Sequence, residues 1–362
     1  MLALTASPVQ AGAVGTTTAV VRALLRLPAG ALADRWNRRT VMFSCDAARA
    51  SLYAALALLV VTSQATLSMI IAIAVTVAAL DVLFEPAAMA AVSHLVPPTQ
   101  LPAAFGRNEA RSYAAELAGP PLGGALFGIA RAVPFAFDAL SYLASFAALL
   151  AIRRPLQGER GAHQRRQLTQ EIGNGIGYAR SSRFLRAVIP LFALANFAFA
   201  GATFTIVVAL QQAGHPASVI GIAQGVMAVG GLLGAIAAAW VQRQADFTPL
   251  IRTSIAILSG CLAASAALSG HLTMVLPVTI ALFLAPALNA AIVSRLAATT
   301  PEHLQGRVIS VLVLASGAAA SLAPLSMGLT INHLGASAAM TVCAAVVALS
   351  AVVALTSRGL NT

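Results

Sequence analysis

Eleven stretches of mostly apolar residues, at 9–33, 41–62, 66–87, 107–130, 133–152, 186–211, 217–240, 248–269, 272–294, 307–332 and 335–356, leave this chain little choice of surroundings. Each is near the ~20 residues that a helix needs to cross a bilayer. The runs are continuous rather than alternating over ten residues, which excludes a transmembrane β-barrel. Only 9% of residues are charged, against about 25% in soluble domains. Ala, Gly and Ser crowd the runs, as close packing between helices in lipid requires. The expected fold class is an all-α membrane protein.

A formal charge of +11 would suggest nucleic acid only if the basic residues formed a patch or stripe. Here they sit in short breaks between apolar runs, so no nucleic-acid partner is expected. The segments 34–40, 88–111, 153–186, 241–252 and 295–307, with the tail, hold 18 of the 22 arginines. The alternate turns near 63–65, 212–216, 270–271 and 333–334 hold none, and Arg131 alone falls on their side. Cytoplasmic loops carry the excess positive charge, so the arginine-rich connections and the C-terminus are expected in the cytoplasm and the chain in the cell's inner (plasma) membrane. Cys45, Cys261 and Cys343 have no metal-ligand spacing; no metal is expected. Gly173, Gly175 and Gly177 are neither preceded by a strand nor followed by Gly-Lys-Ser/Thr, so neither a nucleotide nor any other cofactor is expected. The longest connection, 153–185, contains a short amphipathic stretch at 168–178 suited to the membrane surface. It separates an N-terminal bundle (1–152) from a C-terminal one (186–362).

The halves repeat one another. Gly30-Ala-Leu-Ala-Asp34-Arg35-Trp36-Asn37-Arg38-Arg39 is echoed by Gly234-Ala-Ile-Ala-Ala238-Ala239-Trp240-Val241-Gln242-Arg243, 204 positions on, with the acid and first arginine replaced by Ala238 and Ala239. Val92-Ser-His-Leu95 echoes Val293-Ser-Arg-Leu296, and Pro121-Leu122 echoes Pro324-Leu325. Both copies run in one direction, which makes a parallel repeat about an axis along the membrane normal. Applied to 186–211, the offset of 204 puts a counterpart at −18 to 7, so the sequence reads as a twelve-helix protein lacking its first span.

Gly30-x-x-x-Asp34-Arg35-x-x-Arg38-Arg39 resembles the loop signature between helices two and three of the major facilitator superfamily. Asn37 stands where that family usually has Gly, and is read as a non-glycine residue tolerant of positive φ. Gly119-Pro120-Pro121-Leu122-Gly123-Gly124 resembles the motif that the antiporter branch carries in helix five. Ser7-Pro8, Phe84-Glu85-Pro86-Ala87 and Gln305-Gly306-Arg307-Val308 resemble the enterobactin-exporter-like, or transmembrane secretion effector, branch. The resemblance implies two six-helix bundles with the first helix missing, and alternating access. It places Asp34 against the amino end of the helix beginning near Gly306-Arg307, where the helix dipole favours an anion. Arg38 or Arg39 would pair with Asp81 or Glu85. The alternative is a headgroup-binding loop that only sets topology.

Arg22 and Arg26 lie within the span 9–33, Arg22 twelve residues from Asp34, or roughly 18 Å at about 1.5 Å per residue. Glu116 lies at similar depth in 107–130. Ionisable residues so deep are costly and by default functional. Either Glu116 carries an exchanged proton while the arginines tune it or bind an anionic substrate, or the three form a structural pair with Arg26 snorkelling to the headgroups. Asn196, Gln224 and Asn289 are few among apolar neighbours and either line a substrate path or satisfy interhelical hydrogen bonds. The leading expectation is a monomeric secondary exporter of a small organic molecule, drug-like or siderophore-like, driven by proton antiport. A facilitator or importer on the same fold, and an inactive remnant or membrane partner, are the alternatives. No catalytic constellation converges, so an enzyme is not expected.

Overall fold

The computed structural model describes residues 7–97, 100–152, 177–178, 180–244 and 246–356, and leaves some helical side chains, those of Gly30, Asp34, Arg35, Glu116 and Arg307 among them, outside the description. Regular structure in the described residues is helical throughout: α1 (Pro8–Arg35), α2 (Arg38–Val61), α3 (Leu67–Leu95), α4 (Leu101–Ile129), α5 (Val133–Ala151), α6 (Arg183–Gln212), α7 (Ala217–Gln244), α8 (Phe247–Ala267), α9 (Val275–Thr299) and α10 (Glu302–Thr356). The amphipathic stretch expected at 168–178 falls largely outside the described residues.

Eight of these helices are long and apolar enough to cross a membrane, where the sequence suggested eleven spans. Polar residues account for the two that fall short. α1 carries Arg22 and Arg26, and α4 begins with Arg107, Glu109, Arg111 and Glu116, leaving Leu117–Ile129 as its apolar part. α10 accounts for two of the expected runs, because its axis is broken at Gly335 (φ 86°, ψ 169°). Unbroken, its 55 residues would extend about 80 Å, far beyond the ~30 Å apolar thickness of a bilayer. The other arginine-poor turns use positive φ as well, at Ser63, Gly214 and Gly270.

Packing divides the helices into two sets. α2 lies against α3 and α5, and α3 against α1; beyond the long connection, α6 packs on α10, α7 on α9, and α8 on both α9 and α10. The C-terminal set shares one continuous apolar core, with Leu185, Leu191, Ile206, Ile255, Leu262 and Met340 inaccessible or nearly so. The N-terminal set has two smaller cores, one around Val41, Met42 and Leu149, the other around Val14, Leu56 and Phe135. Between them on α2 lie Asp46 and Arg49.

The structural repeat runs at a different register from the echoed phrase. α1 and α7 coincide at an offset of 209, Pro8–Arg35 against Ala217–Gln244, and so do the residues that precede the next helices, Asn37 and Asp246. The first copy of the phrase therefore leaves α1 at Trp36, whereas the second stays helical to Arg243. The structural counterparts of Asp34 and Arg35 are Arg243 and Gln244, not Ala238 and Ala239. Asn37 also departs from expectation: at φ −67°, ψ 114° it is extended, and its side chain caps α2 by accepting from the N–H groups of Arg39 (3.0 Å) and Thr40 (3.3 Å). Asn is favoured there because its carbonyl oxygen satisfies free first-turn donors.

A Gly335→Ala substitution is expected to lower stability by about 1–3 kcal/mol, since its backbone region is open almost only to glycine. Gly231→Ala, where an added methyl meets nothing within 4 Å, serves as the control. Thermal unfolding of the two purified variants in detergent measures the difference.

Candidate functional site

The two helix sets meet along α1 with α10 and α4 with α7. At the first crossing a methyl on Gly12 would strike the Pro324 carbonyl, and one on Gly328 would come within 2.6 Å of the Pro8 carbonyl. At the second, Gly221 faces the Pro120 carbonyl and Gly124 the Ala217 carbonyl, again with no room for a methyl. These are one contact made twice: Gly12 and Gly221 are 209 positions apart, as are Pro8 and Ala217, while Pro120 and Pro324, and Gly124 and Gly328, are 204 apart. Pro120 rather than Pro121 is thus the counterpart of Pro324. The crossings differ in one respect. Leu325 N–H donates to Thr16 Oγ1 at 3.0 Å, whereas the equivalent positions are Pro121, which has no N–H, and Gly225, on which the Pro121 ring rests.

Both crossings lie toward the arginine-poor ends of their helices. They bound a cavity of about 960 Å³, at the upper end of the range typical of small-molecule sites. The N-terminal set contributes Val14, Thr18, Arg22, Tyr53, Val77 and Phe127; the C-terminal set contributes Asn196, Phe199, Thr203, Phe204, Gln211 and Gln224. Pro120, Gly123, Gly124, Gly221 and Pro324 form the wall at the crossings. Gly119 and Gly123 have open space where a methyl would sit. The antiporter-like motif therefore acts here as a helix-crossing device and as cavity wall.

One charged group among the described lining residues, Arg22, leads from the cavity into a buried network. Arg22 Nη2 donates to Asp81 Oδ2 at 2.9 Å, and Arg49 Nη1 to Asp81 Oδ1 at 2.9 Å. Arg49 Nη2 bonds Asp46 Oδ1 at 2.6 Å, and its Nε reaches the Cys45 carbonyl at 3.3 Å. Ser145 donates to the other oxygen of Asp46 at 2.7 Å. The Arg49 guanidinium lies 4.3 Å from the Phe84 ring centre and 4.6 Å from that of Tyr142. With side-chain exposures of 6% for Arg49 and 1% for Asp46, these charges survive burial because each is paired and hydrogen-bonded. Two arginines and two aspartates leave the network formally neutral.

Of the residues singled out from sequence, Arg22, Pro120, Gly123, Gly124, Asn196 and Gln224 come together at the cavity. Asn196 also satisfies itself on its own helix, donating to the Phe192 carbonyl at 2.8 Å. Arg26 and Asn289 are exposed and do not line it. Asp81 is held by Arg22 and Arg49, not by Arg38 or Arg39. The reason is distance: Arg38 donates to the Ala90 carbonyl at 3.4 Å, nine residues or about 14 Å along α3 from Asp81. Arg39 lies over the Phe43 ring at 5.5 Å, and Glu85 is exposed. The expected docking of Asp34 and the role of Glu116 fall on side chains outside the described residues, as do those of Gly30 and Arg35. Asp46 and Arg49 were not foreseen, although opposite charges three residues apart inside the run 41–62 are a readable signal.

Residues 1–324 match the family model described as Major Facilitator Superfamily. Among functionally curated proteins none matches. A bacterial homologue of the human lysosomal transporter Spinster, inward-facing and unoccupied, superposes with a TM-score of 0.72 at 18% identity, covering 98% of this chain and 90% of that one. The nucleoside transporter NupG gives 0.73 at 12%, covering 98% and 91%. A bacterial homologue of the iron transporter ferroportin, inward-facing, gives 0.72 at 15%, covering 98% and 91%. At these identities the likeness is one of fold.

Replacing Arg49 with Met should destabilise the protein by about 3–5 kcal/mol, because Asp46 and Asp81 lose a buried counter-charge. Arg22→Met, at a side chain 56% exposed, should cost well under half as much. Unfolding midpoints of the two variants test this order, and equal losses would contradict it.

Proposed function

The chain belongs to the major facilitator superfamily, and from that premise we propose that it is a secondary active transporter that exports a small organic molecule by proton antiport. The observation that carries the reading is the cavity between two repeat-related helix sets, bounded near one end by paired glycine–proline crossings. A site so placed opens to either side of a membrane by rocking one set against the other. The family membership and the transporter relatives make this a multi-pass membrane transporter rather than an enzyme.

In this reading the arginine-rich face and the C-terminus are cytoplasmic in the inner (plasma) membrane, and the crossings close the outer end of the cavity. The chain works as a monomer of two bundles, 1–152 and 186–362, joined by 153–185. Asp34 latches the cytoplasmic ends in the outward-open state, with Gly30, Arg35, Arg38 and Arg39 shaping its loop. Glu116, one helical turn before Pro120, carries the exchanged proton. Export, and the placement in the enterobactin-exporter-like branch, rest on the sequence motifs. The relatives' names span a lysosomal transporter, a nucleoside transporter and an iron transporter, so the fold does not select the passenger.

The test is two-sided access to Thr203, which lines the cavity from α6. With Cys45, Cys261 and Cys343 replaced, Thr203→Cys should react with a membrane-impermeant maleimide in both right-side-out and inverted vesicles. Adding Asp34→Asn should slow labelling from the outside severalfold and speed it from the inside. Labelling from one side only would sink the alternating-access reading. An unchanged ratio in the Asp34 variant would sink the latch.

A further inference from the structure

The transport reading leaves the passenger's chemistry open, and, resting on that reading, we propose that Arg22 is an anion subsite. The cavity takes an amphipathic organic anion, its carboxylate, sulfonate or phosphate on the guanidinium and its flat apolar body against Phe127, Phe199 and Phe204. The two arginines of the network are placed differently. Arg49 has Nε, Nη1 and Nη2 all committed to Cys45, Asp81 and Asp46 and is enclosed by Phe84 and Tyr142. Arg22 makes one hydrogen bond, from Nη2 to Asp81, and its side chain is 56% exposed on the cavity. Arg49 anchors Asp81 by its other oxygen, so Asp81 keeps a counter-charge when Arg22 turns to a ligand. The planar guanidinium has five N–H donors arranged for bidentate contact with an anion. Four of them remain for a passenger.

A cationic passenger fits poorly by the same geometry. It would meet Arg22, the charged group among the described lining residues, while both oxygens of Asp81 already accept from arginines. The described lining residues of the opposite wall are neutral. Gln224, across on α7, offers an amide to a second, uncharged polar group of the passenger. The three phenylalanines and Tyr53 give the body an aromatic surface, and one fixed charge within a mostly apolar cavity sets its orientation.

The subsite is tested with two probes of the same shape, 2-naphthoate and its uncharged amide 2-naphthamide, titrated calorimetrically into the purified protein in detergent. A charge-assisted hydrogen bond predicts that the anion binds wild type about tenfold or more tightly than the amide. Arg22→Gln should erase that margin while leaving naphthamide binding within about threefold, and Arg22→Lys should restore part of it. Asp81→Asn, which removes the carboxylate competing for Arg22, should widen it. Equal affinities in wild type, no binding of either probe to folded protein, a margin that survives Arg22→Gln, or one that Asp81→Asn narrows, would each overturn the proposal. Labelling of Thr203→Cys from both faces does not depend on the passenger's charge, so a failed subsite leaves the transport reading standing.

Discussion

Two helix crossings, each made by glycines set directly on a partner's carbonyl groups, hold the two sets of helices together and thereby create the cavity. In lipid no hydrophobic force drives apolar helices together, so association depends on close packing and hydrogen bonds. Gly12 and Gly328 supply that closeness at α1 and α10, and Gly221 and Gly124 supply it at α4 and α7. The neighbouring prolines, Pro324 and Pro120, present the carbonyls that two of these glycines meet. Individual dispersion contacts are worth only about 0.1–0.2 kcal/mol, so such an interface is firm only as a sum of many close contacts. The Thr16 to Leu325 hydrogen bond makes one crossing chemically distinct from its twin, a difference within an otherwise two-fold arrangement.

The N-terminal set carries an ionic layer between its two small apolar cores, whereas the C-terminal set shares one continuous apolar core. Arg49 ties α2 to α3 through Asp81, while Asp46 reaches α5 through Ser145. Arg22 adds α1 to the same layer. Three of the four helices thus linked also line the cavity, through Arg22, Tyr53 and Val77. Among the described residues, this ionic layer reaches the cavity through Arg22. The facing wall contributes aromatic rings and amides.

Much of this was legible in the sequence, because apolar runs of bilayer length admit few folds and arginine marks alternate connections. The four arginine-poor turns at positive φ fall where arginine was missing from the sequence. Register was less legible. The phrase at Gly30 matched best at 204, yet α1 and α7, with the residues that precede the next helices, align at 209, while the crossing residues of α4 and α10 keep 204, so the repeat has no single register. The resemblance pointed to Arg38 or Arg39 as the partner of Asp81 or Glu85, whereas Arg38 reaches the Ala90 carbonyl, about 14 Å along α3 from Asp81, and Asp81 is held by Arg22 and Arg49. Asp46 and Arg49 escaped notice because their charges cancel within a run whose average stays apolar.

The central claim is that the crossings separate while the two sets stay intact, and double electron–electron resonance measures it most directly. Spin labels at Thr62 and Ser269, on arginine-poor turns of opposite sets, and at Thr40 and Gln244, toward the arginine-rich ends, report the two faces of the protein in lipid nanodiscs. The account predicts two distance populations for each pair, with conditions that lengthen one shortening the other. A single narrow distance for both pairs, unchanged across pH and added 2-naphthoate, would contradict it.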